Sequence, residues 1–210
     1  MRNSSGFMNP ARQQRGMTLI SLLVGMMISL FCISGSLVPY KNLVNVASDT
    51  QLSSIYDGQL ASALLTTQLE LQNAGYGITS NGVAQVATAS NGDNVDIYWR
   101  YMLGTSVVCR GLRDTLVNSA RSFQIIEATG ASCTSSSALG GLTWSAGQTL
   151  AQFQRITAPI LSISVTTQNC WPYGAGLKSA HSVVTITAKS AAQLANNSAG
   201  TDYTFCLPNT

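Results

Sequence analysis

The sequence predicts an α+β protein, in which one very long N-terminal helix is followed by an antiparallel β-sheet. Three observations carry this. A charge-free apolar run near the N-terminus passes into an amphipathic helical stripe. Beyond residue 77 the hydrophobic period changes from helical to strand-like. Four of the five cysteines fall in that second part, where bridges would close its loops.

The apolar run comes first. No charge occurs between Arg15 and Lys41, and the apolar core from Met17 to Val38 makes roughly 33 Å of helix, enough to cross a bilayer. Arg2, Arg12 and Arg15 all stand on its N-terminal side. This predicts a cytoplasmic N-terminus, with everything beyond Lys41 outside the inner membrane. The same three arginines account for the net charge of +3, because the rest of the chain is neutral. Only 9% of residues are charged, against about a quarter in an ordinary soluble domain. A neutral chain rich in Gly, Ser, Thr, Ala and Asn suits an exported β-rich protein. It argues against nucleic-acid binding by general electrostatics.

Pro39 closes the apolar run and would kink a helix that continues past it. The helical pattern does resume. Leu52, Tyr56, Leu60, Ala63, Thr67, Leu71 and Ala74 recur at helical spacing, with Ser53, Asp57, Gln59, Gln68 and Gln72 on the opposite face. Gly75 and Gly77 supply the stop. From Met17 to Ala74 such a helix would be roughly 87 Å long.

Period-two alternation follows. Val95, Ile97, Trp99 and Tyr101 alternate with Asp96, Tyr98 and Arg100. Leu161, Ile163 and Val165 alternate with serines and a threonine, as Val184 and Ile186 do with threonines. Segments 123–126 and 150–156 are weaker strand candidates. Asn91-Gly92 signals a turn. Regions 129–148, 168–180 and 189–201 read as loops.

The fate of the apolar run decides the function. Ser34-Gly35-Ser36 offers small residues for signal peptidase after the run. Lipoprotein processing at Cys32 is disfavoured by Phe31 before it. The third option is a cut before the run. Arg15-Gly16-Met17-Thr18-Leu19-Ile20-Ser21-Leu22-Leu23-Val24 resembles the prepilin peptidase site of type IV pilins and type II secretion pseudopilins. The resemblance implies cleavage between Gly16 and Met17, N-methylation of Met17, and retention of the apolar helix as membrane anchor and assembly element. It departs from the pattern at Ser21, where the family carries Glu. By family analogy that Glu neutralises the N-terminal amine of a neighbouring subunit. Its loss is known in a subunit at the filament tip, so Ser21 implies a tip or low-abundance subunit.

"QLELQNAGYG" at the end of the helical stripe, and "VVCRGL" after the first strand, are similar to the PilW family of minor pilins. The resemblance implies a pilin-like fold: residues 1–16 as basic leader, 17–77 as membrane-spanning and assembly helix, and 78–210 as a periplasmic or extracellular β-rich domain with disulfide-closed loops. The implied function is a minor pilin that helps prime the fibre, with capping as a further role. Its partners would be prepilin peptidase, other minor pilins, the major pilin and the inner membrane. Before assembly it would cross the inner membrane once; afterwards it would lie in the fibre at the cell surface. A minor pseudopilin of a type II secretion system is the alternative, and a DNA-receptor or adhesin subunit a further one.

Cys32 reads as a small apolar filler in the anchor. Cys109, Cys133, Cys170 and Cys206 allow three pairings in an oxidising compartment. The nearest-neighbour pairing, Cys109–Cys133 and Cys170–Cys206, is the favoured expectation; the second bridge would close a C-terminal loop much as in pilins. No C-x-x-C pair supports a zinc site. His181 has no carboxylate near it in sequence to complete a triad. The carboxylates form no recognisable catalytic or metal-binding pair, so no enzymatic role and no cofactor are expected. Arg100, Arg110, Arg113 and Arg121 lie close together in sequence, but Asp96, Asp114 and Glu127 nearby point to a solvated or ion-paired face, making nucleic acid a weakly supported partner. Trp99 fits the core, whereas Trp171 fits an exposed contact.

Overall fold

The computed structural model describes residues 18–79, 82–92, 94–129, 133–154, 156–173 and 178–210. The leader 1–16 and Met17, and with them the Gly16–Met17 bond, lie outside the described residues. One helix, α1 (Leu19–Leu71), has 53 residues and is therefore about 80 Å long. It continues on both sides of Pro39, whose missing N–H leaves one carbonyl without an intrahelical donor. Contacts divide the chain into two compact units that meet at Thr50 and Gln51 within this helix.

In the first unit every described side chain from Thr18 to Thr50 is exposed. Ser29 Oγ donates back within the helix to Gly25 O and Ser36 Oγ to Cys32 O, each at 2.8 Å. Hydroxyls satisfied in this way carry little cost into lipid.

In the second unit, Tyr56, Leu60, Ala63, Leu64, Thr67 and Leu71 of α1 are buried. The expected stripe therefore packs from Tyr56 onward, with Leu64 added and Leu52 left exposed. The helix ends at Leu71 rather than Ala74. Asn73 N donates to Glu70 O and Ala74 N to Leu71 O, tightening the chain into turns. Gly75 and Gly77 then take positive φ values of 77° and 69°.

Among the described residues the strands form two antiparallel sheets. The first is a five-stranded meander of β1 (Val86–Asn91), β2 (Asn94–Leu103), β3 (Ser106–Val117), β4 (Ala120–Ala128) and β5 (Trp144–Gln154). The second contains β6 (Leu161–Cys170), β7 (Ser179–Ala188) and β8 (Thr201–Cys206). A short helix α2 (Ala191–Ala195) carries a capping box from Ser190 and Gln193. Regions 129–148, 168–180 and 189–201, expected as loops, thus contribute the start of β5, the β6 and β7 ends of a hairpin, and α2.

The main core lies between α1 and the sheets. Ile97, Trp99, Leu112, Phe123, Ile125 and Phe153 face the buried stripe of α1, and Leu161, Ile163, Val184 and Ile186 join from the second sheet. The expected polar side of β2 is also covered. Tyr98 packs with Cys109, Ile126 and Leu139 in a second cluster, and its ring stacks on Trp144 at 4.4 Å. That is why Asp96 and Arg100, on the same side, are fully buried.

Candidate functional site

Ser21 lies in the first turn of α1, exposed, with its N–H donating to Thr18 O at 2.9 Å. From Thr18 to Tyr40 this helix carries no ionisable acid or base other than the Cys32 thiol and the Tyr40 hydroxyl. It is long and apolar enough to cross a membrane. Gly16 and Met17, outside the described residues, directly precede it in sequence. A single-pass anchor is thus consistent with this segment.

The two disulfides close the loops of the β-rich unit. Cys109 on β3 bonds to Cys133, and Cys170 at the end of β6 bonds to Cys206 on β8. Cys32 is free and exposed on α1.

The four clustered arginines do not form one patch, because strand alternation divides them between the two faces of the sheet. Arg110 faces α1, where its Nη1 contacts both Glu70 carboxylate oxygens at 3.0 Å and its Nη2 lies 3.1 Å from Glu127. Arg121 also faces inward, 3.5 Å from Asp114, and donates to Thr157 O. Arg113 lies on the other face, 2.8 Å from the buried Asp96. Arg100, also on that face, donates to Thr134 O at 2.7 Å and to Ala84 O at 3.0 Å. Its burial pushes the guanidinium pKa down. Burial likewise raises the Asp114 carboxyl, against the opposing pull of Arg121.

An open groove of about 830 Å³ lies within the second unit. Leu52, Ile55 and Tyr56 of α1 line it with Phe153, Ile156 and Leu194. Tyr56 donates to Lys189 O at 2.8 Å, and burial raises its hydroxyl pKa, with Asp57 and Asp114 adding to the effect.

Trp99 is fully buried, whereas Trp171 is 48% exposed, with the Lys178 ammonium 4.5 Å from its ring centre. His181 has two polar neighbours. Ser179 Oγ is 2.6 Å from its Nε2, and the main-chain oxygen of Thr210 is 3.2 Å from its Nδ1. The first could be found from their i, i+2 placement on one strand; the second depends on the path of the chain. Among the described residues, no group of three or more His, Cys, Asp or Glu is placed to hold a metal ion.

No family model, curated protein or solved structure compared with this chain matches it.

Proposed function

We propose that the protein is a minor type IV pilin that helps prime fibre assembly and sits at or near the tip. The observation that carries this reading is a property of one helix. Within Leu19–Leu71, an exposed apolar segment of bilayer length is followed by the stripe that builds the core of a β-rich domain. An ordinary exported domain has no use for an anchor continuous with its core helix. A subunit stored in the membrane and then drawn into a fibre does. The motif around Gly16 and Met17 supports the same reading, with cleavage between them and methylation of Met17. Partners would be prepilin peptidase, other minor pilins and the major pilin.

Ser21 bears on position in the fibre. A buried amine next to a carboxylate is tolerable, whereas an unmatched buried charge costs several kcal/mol. Ser21 offers a hydroxyl but no charge, which suits a subunit that need not offset a neighbour's amine. Ser21→Glu should increase entry into the fibre body, read by quantitative mass spectrometry of sheared fibres; unchanged incorporation contradicts the tip assignment. Deletion of the gene should abolish piliation and leave protein secretion intact. The reverse phenotype would identify a minor pseudopilin instead. A role as DNA receptor gains no support from the four arginines, since each is engaged by a carboxylate or by main-chain carbonyls.

A further inference from the structure

The geometry points to Ser179 as an activated nucleophile that accepts an acyl group from an activated ester, with His181 as its general base. This goes beyond the structural role proposed above and does not depend on it.

The argument starts from hydrogen-bond direction. The main-chain oxygen of Thr210 can only accept, so the 3.2 Å contact puts the proton of a neutral His181 ring on Nδ1. Nε2 then presents its lone pair to Ser179. At 2.6 Å from Nε2, Ser179 Oγ–H is the donor of that bond. The hydroxyl is therefore aimed at a base whose tautomer is fixed from the other side of the ring. This is the relationship that makes a serine nucleophilic, with the Thr210 main-chain oxygen in the orienting position.

Two features keep the pair in place and open. The oxygen that orients the ring belongs to a secured tail: Leu207 is buried and its N–H donates to Ser182 O, while Thr210 Oγ1 accepts from Ser182 N. Ser179 itself is exposed at the start of β7, opposite the disulfide-bonded Cys170. A reagent can reach it.

The step balances without an oxidant or reductant. Ser179 Oγ attacks the carbonyl carbon of the ester while its proton passes to His181 Nε2. The bond to the leaving oxygen breaks, and that oxygen takes the proton from Nε2. The products are an acyl ester on Ser179, a free alcohol or phenol, and a neutral His181.

The test uses the full chain in detergent with p-nitrophenyl acetate, mapping acetylation rates by peptide mass spectrometry. Ser179 should be acetylated about a hundredfold faster than Ser162 and Ser164, exposed serines on β6, consistent with the usual size of general-base assistance. His181→Gln, which keeps a polar side chain but cannot take up the proton, should remove that excess. Added imidazole should restore acetylation in His181→Ala. Acetylation of Ser179 at the rate of Ser162 and Ser164 in the unaltered chain would overturn the proposal, whatever the variants do. Equal rates in the unaltered chain and a folded His181→Gln variant would also overturn it.

Discussion

The main-chain carbonyl of Asn209 occupies the space that a β-carbon on Gly75 would need. Gly75 also has a φ of 77°, in the left-handed region, and its N–H donates to Arg100 O at 2.8 Å. The end of α1, the edge of β2 and the C-terminal tail therefore meet at one glycine. Asn209 adds a side-chain bond to Gln72 O at 3.4 Å.

Gly75→Ala should consequently destabilise the fold by about 2–3 kcal/mol, since it adds both a left-handed β-carbon and a collision with main chain. Gly58→Ala is the control. Gly58 lies in α1 with open space around it, and alanine there should stabilise by about 0.5–1 kcal/mol. Urea unfolding of the two variants should move the midpoint in opposite directions; shifts of the same sign would contradict this account of Gly75.

Much of the architecture was legible in the sequence, for a consistent physical reason. Where one face of a strand meets the core and the other meets water, the alternation shows. Segments 161–166 and 184–187 were recognisable on that ground, and α1 by its stripe; segment 95–101 alternates although both its faces are covered, because Asp96, Tyr98 and Arg100 occupy the second one. The missed strands break the pattern. β3 carries Arg110 and Asp114 toward the core, where Glu70 and Arg121 meet them. It also contains Gly111, against which the Tyr98 ring lies. β1 and β8 consist largely of small or polar residues that gain their place from neighbouring strands. The Asn118-Ser119 turn joining β3 to β4 has φ values of 49° and 63° at residues that do not demand them.

The candidate sites were legible only in part. The cysteines showed that bridges were available, and the local mixture of charges pointed to a solvated or ion-paired face, which Arg110, Arg113 and Arg121 bear out by ion pairs and Arg100 does not. Nothing local showed that Arg100 would be fully buried, because its guanidinium is met by main-chain oxygens of Ala84 and Thr134, 16 and 34 positions away. Nor did spacing connect His181 with Thr210.

Asp114 should make stability depend on pH in an unusual direction. Burial pushes its carboxyl above the ordinary carboxylate range, and Arg121 opposes this without cancelling it. Between the unfolded and folded pKa values, the native state holds more protons than the unfolded state. The contribution of this group is therefore present at acid pH and is lost as pH rises from its ordinary value through the raised one. Asp114→Asn should flatten this part of the stability profile, measured by urea unfolding from about pH 4 to 7. An equally steep fall in the variant would assign the dependence to other groups.

The Cys170–Cys206 bridge should carry a substantial share of the stability of the second sheet. It closes a separation of 36 positions, for which chain entropy gives about 3–4 kcal/mol. The double variant Cys170→Ser with Cys206→Ser should unfold at markedly lower urea than the parent. An unchanged midpoint would mean that β6 and β8 hold their positions without it.

The central claim is that the apolar segment of α1 belongs to the mature protein and is not a discarded export signal. Mass spectrometry of the mature N-terminus, on protein from hosts with and without prepilin peptidase, tests this most directly. The account predicts a chain beginning at N-methylated Met17, with processing lost when the peptidase is absent. A mature chain beginning near Leu37 would contradict it, leaving an exported β-rich domain without its anchor.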